Sequence, residues 1–68
     1  MLEVGNGTIT VLVSYATPVA AKGPNLLAHT DRRWSSTTQR HIKKWLASEA
    51  SAAISVPQDR IQEIYNAL

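Results

Sequence analysis

The N-terminal part of the chain alternates in side-chain character with a period of two. Residues 8–15 are rich in β-branched types, which favours a strand. One face of this strand would carry Ile9, Val11, Val13 and Tyr15. The other face would carry Thr8, Thr10, Leu12 and Ser14. We therefore predict that the first face lies in the core and that the second is mostly solvated.

Turn residues place two further strands beside this one. Gly5-Asn6-Gly7 tolerates the positive φ angles of a hairpin turn, so residues 2–4 are expected to fold back onto the long strand. Beyond a kink at Pro18, the long strand is expected to continue through residues 19–21. Lys22-Gly23-Pro24-Asn25 predicts a second turn, after which residues 26–34 return as the last strand. The pattern predicts a three-stranded antiparallel meander.

At Ser36 the apolar period changes to that of a helix. Ser36 and Gln39 have the spacing of a capping box, in which the serine hydroxyl accepts from a free amide and the glutamine reaches back. A helix from residue 36 to about residue 53 would carry Ile42, Trp45 and Leu46 on one face. We therefore expect Trp45 to lie in the core.

A second helix is predicted to start at Ser55, which has capping-box spacing to Gln58, with Pro57 in the first turn. Its apolar stripe would consist of Ile61, Ile64, Tyr65 and Leu68. Residues 1–68 are thus predicted to form a single small domain. The predicted fold is α+β, a three-stranded antiparallel β-meander followed by two α-helices packed on one face (β-β-β-α-α).

Length and composition exclude several classes of function. The 68 residues contain no cysteine, so disulfides, thiolate catalysis and cysteine-ligated metal sites are ruled out. No apolar run reaches the roughly 20 residues of a membrane span, and no secretory signal is evident. We expect a cytoplasmic protein, in the cytoplasm of the host cell if the chain is viral. A domain this short is marginally stable alone, so homodimerisation is also expected.

The positive charges are distributed unevenly. The formal net charge is only +2, yet five of the seven Lys and Arg residues lie in a window without Asp or Glu. These five are Arg32, Arg33, Arg40, Lys43 and Lys44. Trp34 lies inside this window, and a positive surface with an aromatic side chain suits phosphates and stacked bases. The alternative is the ordinary solvent-exposed face of an amphipathic helix.

The predicted start of the first helix is a second candidate for anion binding. The hydroxyls beside the free backbone amides come from Ser35, Ser36, Thr37 and Thr38. The side chains that can surround them are Arg32, Arg33, Arg40 and His41. The alternative is that the hydroxyls only cap the helix. The candidate binding residues, for a protein partner or for phosphate, are Arg32, Arg33, Trp34, Ser36, Thr37, Arg40, His41, Lys43 and Lys44.

Catalytic, metal and cofactor sites find no support in the sequence. No signature such as G-x-S-x-G places a serine beside a base, and no glycine-rich phosphate loop occurs. A metal site can be drawn only from residues whose spacing does not favour it, namely His29, Asp31, His41 and Glu49. We therefore expect no enzyme activity, no metal and no cofactor.

The other aromatic residues are assigned by their neighbours. Trp34 follows arginine and precedes serine, so it is either an anchor at the end of the sheet or a partly exposed contact residue. Tyr15 and Tyr65 are expected to be buried rings with hydroxyls near the surface.

Two separated blocks of sequence resemble small proteins of tailed bacteriophages. The blocks are Tyr15-Ala16-Thr17-Pro18-Val19-Ala20 and Trp34-Ser35-Ser36-Thr37-Thr38-Gln39-Arg40-His41-Ile42. These phage proteins show a Tyr-x-Thr-Pro-Val/Ile-Ala strand and an aromatic-Ser-x-Thr-Thr-x-basic-His helix start. Trp34 stands where Tyr or Phe is expected and Gln39 where Ser is usual. The resemblance, over about residues 11–46, implies a viral origin and a β-then-α domain, and it implies no activity.

Two functional hypotheses stay open, and both concern binding. In the first, a phage accessory protein engages a host or viral protein through Trp34 and the basic helix, with inhibition of that protein as one of the open outcomes. In the second, a nucleic-acid-binding module contacts phosphates through the Arg32–Lys44 cluster. The sequence does not decide whether the basic surface meets protein or nucleic acid.

Overall fold

A five-stranded mixed β-sheet forms the centre of the molecule. The computed structural model describes residues 2–68. Its strands are β1 (Leu2–Gly5), β2 (Thr10–Ser14), β3 (Thr17–Gly23), β4 (Leu26–Thr30) and β5 (Ile54–Val56). Its helices are α1 (Ser36–Leu46) and α2 (Gln58–Asn66), and a short 3-10 turn, Ala47–Glu49, follows α1.

The strands lie in sequence order, and the last pair is parallel. β1 to β4 pair antiparallel through three hairpins. β5 pairs parallel with β4, so that Ala28 lies opposite Ile54 and Thr30 opposite Val56. A parallel pair requires a crossover, and the chain from residue 31 to residue 53, with α1, provides it.

The predicted three-stranded meander is therefore wrong in three places, one of which is its last strand, since β4 ends at Thr30 and not at residue 34. The stretch predicted as one long strand is folded into a hairpin, in which Tyr15 and Ala16 form the turn and Ser14 pairs with Thr17. Ser55 and Val56, predicted as the start of the second helix, lie in β5 (Ile54–Val56) instead. Three residues are too few to show an alternating pattern, so the sequence carried no signal for this strand.

The two helices cover opposite faces of the sheet, which corrects the prediction that they share one face. Leu12 and Ala20 pack with Ile42 and Leu46 of α1. The other face packs against α2, through Val11, Val13, Ala21, Ile64, Tyr65 and Leu68. Because both faces are covered, Leu12 and Ser14 are buried as well as Val11, and the prediction of a solvated face is also wrong.

The helix ends differ from those predicted. α1 begins at Ser36 as expected, but Ser35 is its N-cap, and the Ser35 hydroxyl accepts a hydrogen bond from the Thr38 amide at 3.1 Å. α1 ends at Leu46, not near residue 53, because Ala47 has a φ of 50°. No helix in residues 2–68 is long and apolar enough to cross a membrane.

The second predicted capping box does not form, because Ser55 lies in β5. α2 instead follows Pro57, whose side chain makes no capping hydrogen bond. The Gln58 side chain reaches outward from the helix: its Nε2 donates to the carbonyl of Pro18 at 2.8 Å.

We predict that Ala47→Gly stabilises the protein. Ala47 has φ 50° and ψ −123°, a region that glycine occupies without steric cost. The strain released, about 1–3 kcal/mol, exceeds the roughly 0.5–1 kcal/mol of entropy that glycine loses on folding. Thermal unfolding should show a Tm several degrees higher. Ala67→Gly, at a φ of −85°, is the matched control and should show no such increase.

Candidate binding surface

A buried polar network connects the end of β2 to the first turns of α1. Ser14 Oγ lies 3.2 Å from Thr38 Oγ1 and 3.1 Å from His41 Nδ1. Ser35 Oγ donates to Thr38 Oγ1 at 3.2 Å. Ser14 and Thr38 are 2% and 3% exposed, so these hydroxyls depend on one another for hydrogen bonds.

Each hydroxyl proton has an acceptor if the bonds run in one direction. Ser35 donates to Thr38, Thr38 donates to Ser14, and Ser14 donates to His41 Nδ1. This order assigns the ring proton of a neutral His41 to Nε2. The network holds α1 against β2, and its polar groups are occupied by one another.

Ser14 and His41 share one feature with a catalytic serine and its base, which is the hydrogen bond between the hydroxyl and the imidazole. In residues 2–68 no carboxylate is hydrogen-bonded to His41, and the Ser14 hydroxyl is also shared with Thr38. The geometry supports a structural role for this pair, in positioning α1. The expectation that the chain is not an enzyme stays a prediction.

Tyr15 is displayed at the turn between β2 and β3, which corrects the prediction of a buried ring. It is 73% exposed. Tyr15 and its neighbour Ala16 have φ angles of 50° and 67°, as a two-residue hairpin turn requires. Neither is Gly, Asn or Asp, so the sequence carried no turn signal at this position.

Trp34 is 41% exposed, which supports its assignment as a partly exposed contact residue. The Arg32 guanidinium lies over the ring, 4.6 Å from its centroid. The ring Nε1 donates to Gln58 Oε1 at 3.3 Å. Contacts from two segments thus hold Trp34 in place while leaving part of the ring accessible.

Two adjoining depressions lie beside Trp34. The aromatic pocket, of about 190 Å³, is lined by Ser14, Tyr15, Thr17, Trp34, Ser35 and Thr38. The basic groove, of about 470 Å³, is lined by Arg33, Trp34, Ser35, Ser36, Gln39, Arg40 and Lys43. Trp34 and Ser35 belong to both, so the two depressions are neighbours on one surface.

The cations of this surface are not neutralised by acidic side chains. All five residues of the basic cluster are exposed. The ion pairs found in residues 2–68 lie elsewhere, between Lys22 and Glu49 at 3.7 Å and between Arg60 and Glu63 at 3.8 Å. The positive charge of the groove therefore stays available to an external anion.

The structure brings together most of the candidate binding residues. Lining the groove are Arg33, Trp34, Ser36, Arg40 and Lys43. Arg32 stacks on Trp34, and His41 lies in the polar network. Thr37 and Lys44 are exposed but line neither depression. Sequence reasoning placed Ser35 at the helix start but missed Tyr15 and Gln39 as parts of this surface.

Trp45 lies at the margin of the core, which corrects the prediction that it is a core residue. It is only partly buried, and Lys22 Nζ sits 4.4 Å from its ring centroid. Lys22 Nζ also donates to the Trp45 carbonyl at 2.8 Å, and the indole Nε1 donates to the carboxylate of Glu3. Trp45 thus joins α1 to β1 and β3.

The residues drawn as a metal site are not assembled into one. No group of three or more His, Asp or Glu side chains in residues 2–68 is arranged to hold a metal ion. His29 Nδ1 instead lies 2.9 Å from the Thr30 carbonyl.

Comparison with known proteins identifies a family without a known activity. The model of a family of unknown function (DUF8033) matches residues 1–63, and the chain belongs to that family. Neither a curated protein nor a solved structure matches the chain significantly.

We predict that Ser14→Ala destabilises the protein. The change removes the buried hydrogen-bond partner of Thr38 Oγ1 and the partly buried partner of His41 Nδ1. Loss of such a partner costs about 1–3 kcal/mol, to be measured by urea unfolding. The control is Ser48→Ala in the exposed 3-10 turn, where a change within about 0.5 kcal/mol is expected. Equal stability of the two variants would contradict the structural role of the network.

Proposed function

We propose that the chain is a small binding module that docks an acidic surface of a protein partner. The observation that carries the proposal is the combination of an exposed Trp34, held by Arg32 and Gln58, with a groove whose cations form no ion pair with an acidic side chain in residues 2–68. The phage resemblance makes the partner a host or viral protein, and inhibition of that partner belongs to the same proposal. So does the cytoplasmic location expected from the sequence.

The types of side chain favour a protein partner. Trp, Tyr and Arg are the residues most enriched among interface positions that dominate binding energy. Here Trp34 and Tyr15 are both exposed and line the same pocket, while Arg33 and Arg40 line the adjoining groove. Because Gln58 and Arg32 already hold Trp34, docking loses little side-chain freedom at this residue.

The positive charge of the groove indicates that the complementary surface of the partner is acidic. The groove presents two guanidinium groups, from Arg33 and Arg40, and the ammonium of Lys43. Guanidinium groups bind carboxylates through paired hydrogen bonds, so a surface rich in Asp and Glu is the complementary one.

Nucleic-acid binding is the second candidate, favoured by the same cations. A phosphate backbone could follow the groove while a base stacks on the accessible part of Trp34. The two candidates differ in salt dependence, because each phosphate neutralised on duplex DNA adds about −0.9 to the slope of log K against log salt.

We predict that capture of a partner from expressing or infected cells survives nuclease treatment and depends on the groove. Arg40→Glu and Trp34→Ala should abolish capture. Arg60→Glu introduces the same change of charge on α2, outside the groove, and should retain it. Binding lost with nuclease, or lost equally in Arg60→Glu, would contradict docking of a protein at the groove.

The nucleic-acid alternative has a separate readout. Fluorescence anisotropy with labelled duplex DNA and single-stranded RNA should show no saturable binding by the purified protein at low salt. A steep salt slope that Arg40→Glu flattens and Arg60→Glu preserves would replace the protein partner with nucleic acid.

Homodimerisation stays a prediction, and the sheet edges are where we expect it. β1 and β5 are the two edge strands, and Leu2 and Ile54 are each 60% exposed. Mass measurement by light scattering should give twice the chain mass of 7.4 kDa at high concentration. A monomer mass at every concentration would contradict it.

A further inference from the structure

We infer, on the basis of the proposed function, that the docked part of the partner is a short peptide segment with an apolar anchor beside acidic residues. The anchor side chain would enter the aromatic pocket, and its acidic neighbours would occupy the basic groove. Four features of the surface support this assignment of the anchor to the pocket and of the acidic residues to the groove.

The first feature is the size of the aromatic pocket. At about 190 Å³ it is smaller than the roughly 300–1,000 Å³ of sites that enclose a whole small-molecule ligand. It opens at the surface between two exposed aromatic residues, Tyr15 and Trp34. A pocket of this size accommodates one side chain of a larger partner.

The second feature is the state of the polar groups in the pocket. Ser14, Ser35 and Thr38 contribute hydroxyls, but these are bonded to one another and to His41. In residues 2–68 no buried side-chain nitrogen or oxygen lacks a hydrogen-bond partner. An apolar group can therefore cover these three hydroxyls without leaving any of them unpaired. A nucleobase would bring polar edges, and these three hydroxyls are already bonded to one another and to His41.

The third feature is the rigidity of the pocket walls. Trp34 is held by Gln58 and Arg32. Tyr15 is held out by a turn in which it and Ala16 both have positive φ angles, at a strain cost of about 1–3 kcal/mol for each such residue. The backbone path of this turn places the Tyr15 ring at the surface, beside the pocket.

The fourth feature is the shared wall between pocket and groove. Because Trp34 and Ser35 line both, a residue anchored in the pocket places its chain neighbours near the groove. There Arg33, Arg40 and Lys43 supply the positive charge. The two depressions together select an apolar residue flanked by carboxylates.

The test uses four defined probes and two-dimensional NMR titration of the purified protein. The first is the acetylated, amidated peptide Glu-Asp-Phe-Asp-Glu. The second replaces its Phe by Ser, and the third replaces its acidic residues by Gln and Asn. The fourth is a five-nucleotide oligothymidylate. The indole signal of Trp34 should shift, and that of Trp45 serves as an internal control because it lies outside both depressions.

We expect the first peptide to bind at least tenfold more tightly than the Ser peptide and more tightly than the oligonucleotide. The peptide without acidic residues should also bind more weakly, and its binding should lose the salt dependence. Equal binding of the Phe and Ser peptides would overturn the anchor, and absence of any Trp34 shift would overturn the segment as a whole.

Two substitutions in the β2–β3 turn distinguish the effect of the Tyr15 ring on binding from the effect of backbone strain on stability. Tyr15→Asn removes the ring but suits a positive φ, and it should abolish the preference for the Phe peptide. Ala16→Gly relieves strain while keeping the ring, and it should raise the Tm with binding unchanged. A Phe preference that survives Tyr15→Asn would overturn the pocket assignment.

The outcomes distinguish this inference from the proposed function. One outcome is that the Phe peptide binds no more tightly than the Ser peptide, while Arg40→Glu still abolishes nuclease-resistant capture. In that case the proposal of a protein partner is supported and the anchored segment is rejected. If the oligonucleotide binds most tightly, and only that binding depends on Arg40, both proposals fail in favour of nucleic acid.

Discussion

Burial of β2 on both faces is the constraint on which the rest of the structure depends. Val11 and Leu12 are adjacent and fully buried, so the sheet needs a helix on each side. Leu12 packs with α1, and Ser14, two residues further along, contacts Thr38 and His41 of that same helix. The period of two that places Leu12 in the core thus also places the Ser14 hydroxyl under the start of α1.

The surface that we propose for binding follows from this placement. Ser14 ends β2 and lies directly before the strained turn, so anchoring α1 at Ser14 brings the helix start beside Tyr15. Gln58, at the start of α2, contacts Pro18 and Trp34, and so ties the second helix to the same region. Elements far apart in the sequence therefore meet at one end of the sheet because β2 and β3 are shared by both helices.

The sequence allowed prediction of the parts in which one local pattern dominates. The hairpin at residues 5–7, the start of α1 at Ser36 and the apolar stripe of α2 were confirmed because turn chemistry and helical periodicity are local. The grouping of Trp34 with Arg33 and Arg40 was also expected, whereas the sequence left open whether Trp34 is exposed.

The remainder depends on long-range packing. Tyr15 and Ala16 form a turn because the flanking strands pair, although neither residue favours the required backbone. β5 exists because β4 offers it a partner, although the spacing of Ser55 and Gln58 resembles a capping box. Trp45 has the spacing of a core residue on a helix, yet its ring contacts Lys22 and Glu3 at the margin of the sheet. In each case a tertiary contact overrides the local preference.

The positions of the charged residues along α1 and α2 indicate which members of the Arg32–Lys44 cluster stabilise a helix and which are left to bind a partner. Lys43 and Lys44 lie in the last turn of α1, where positive charge stabilises the helix dipole, so helix stability alone explains Lys44. The first turn of α1 has no acidic residue, whereas that of α2 has Asp59. The N-terminal end of α1 thus lacks a stabilising carboxylate, and Arg33 and Arg40 add further positive charge beside it. This end of the helix is complementary to a carboxylate that the chain itself does not supply, which is why the two arginines, more than the two lysines, argue for a partner.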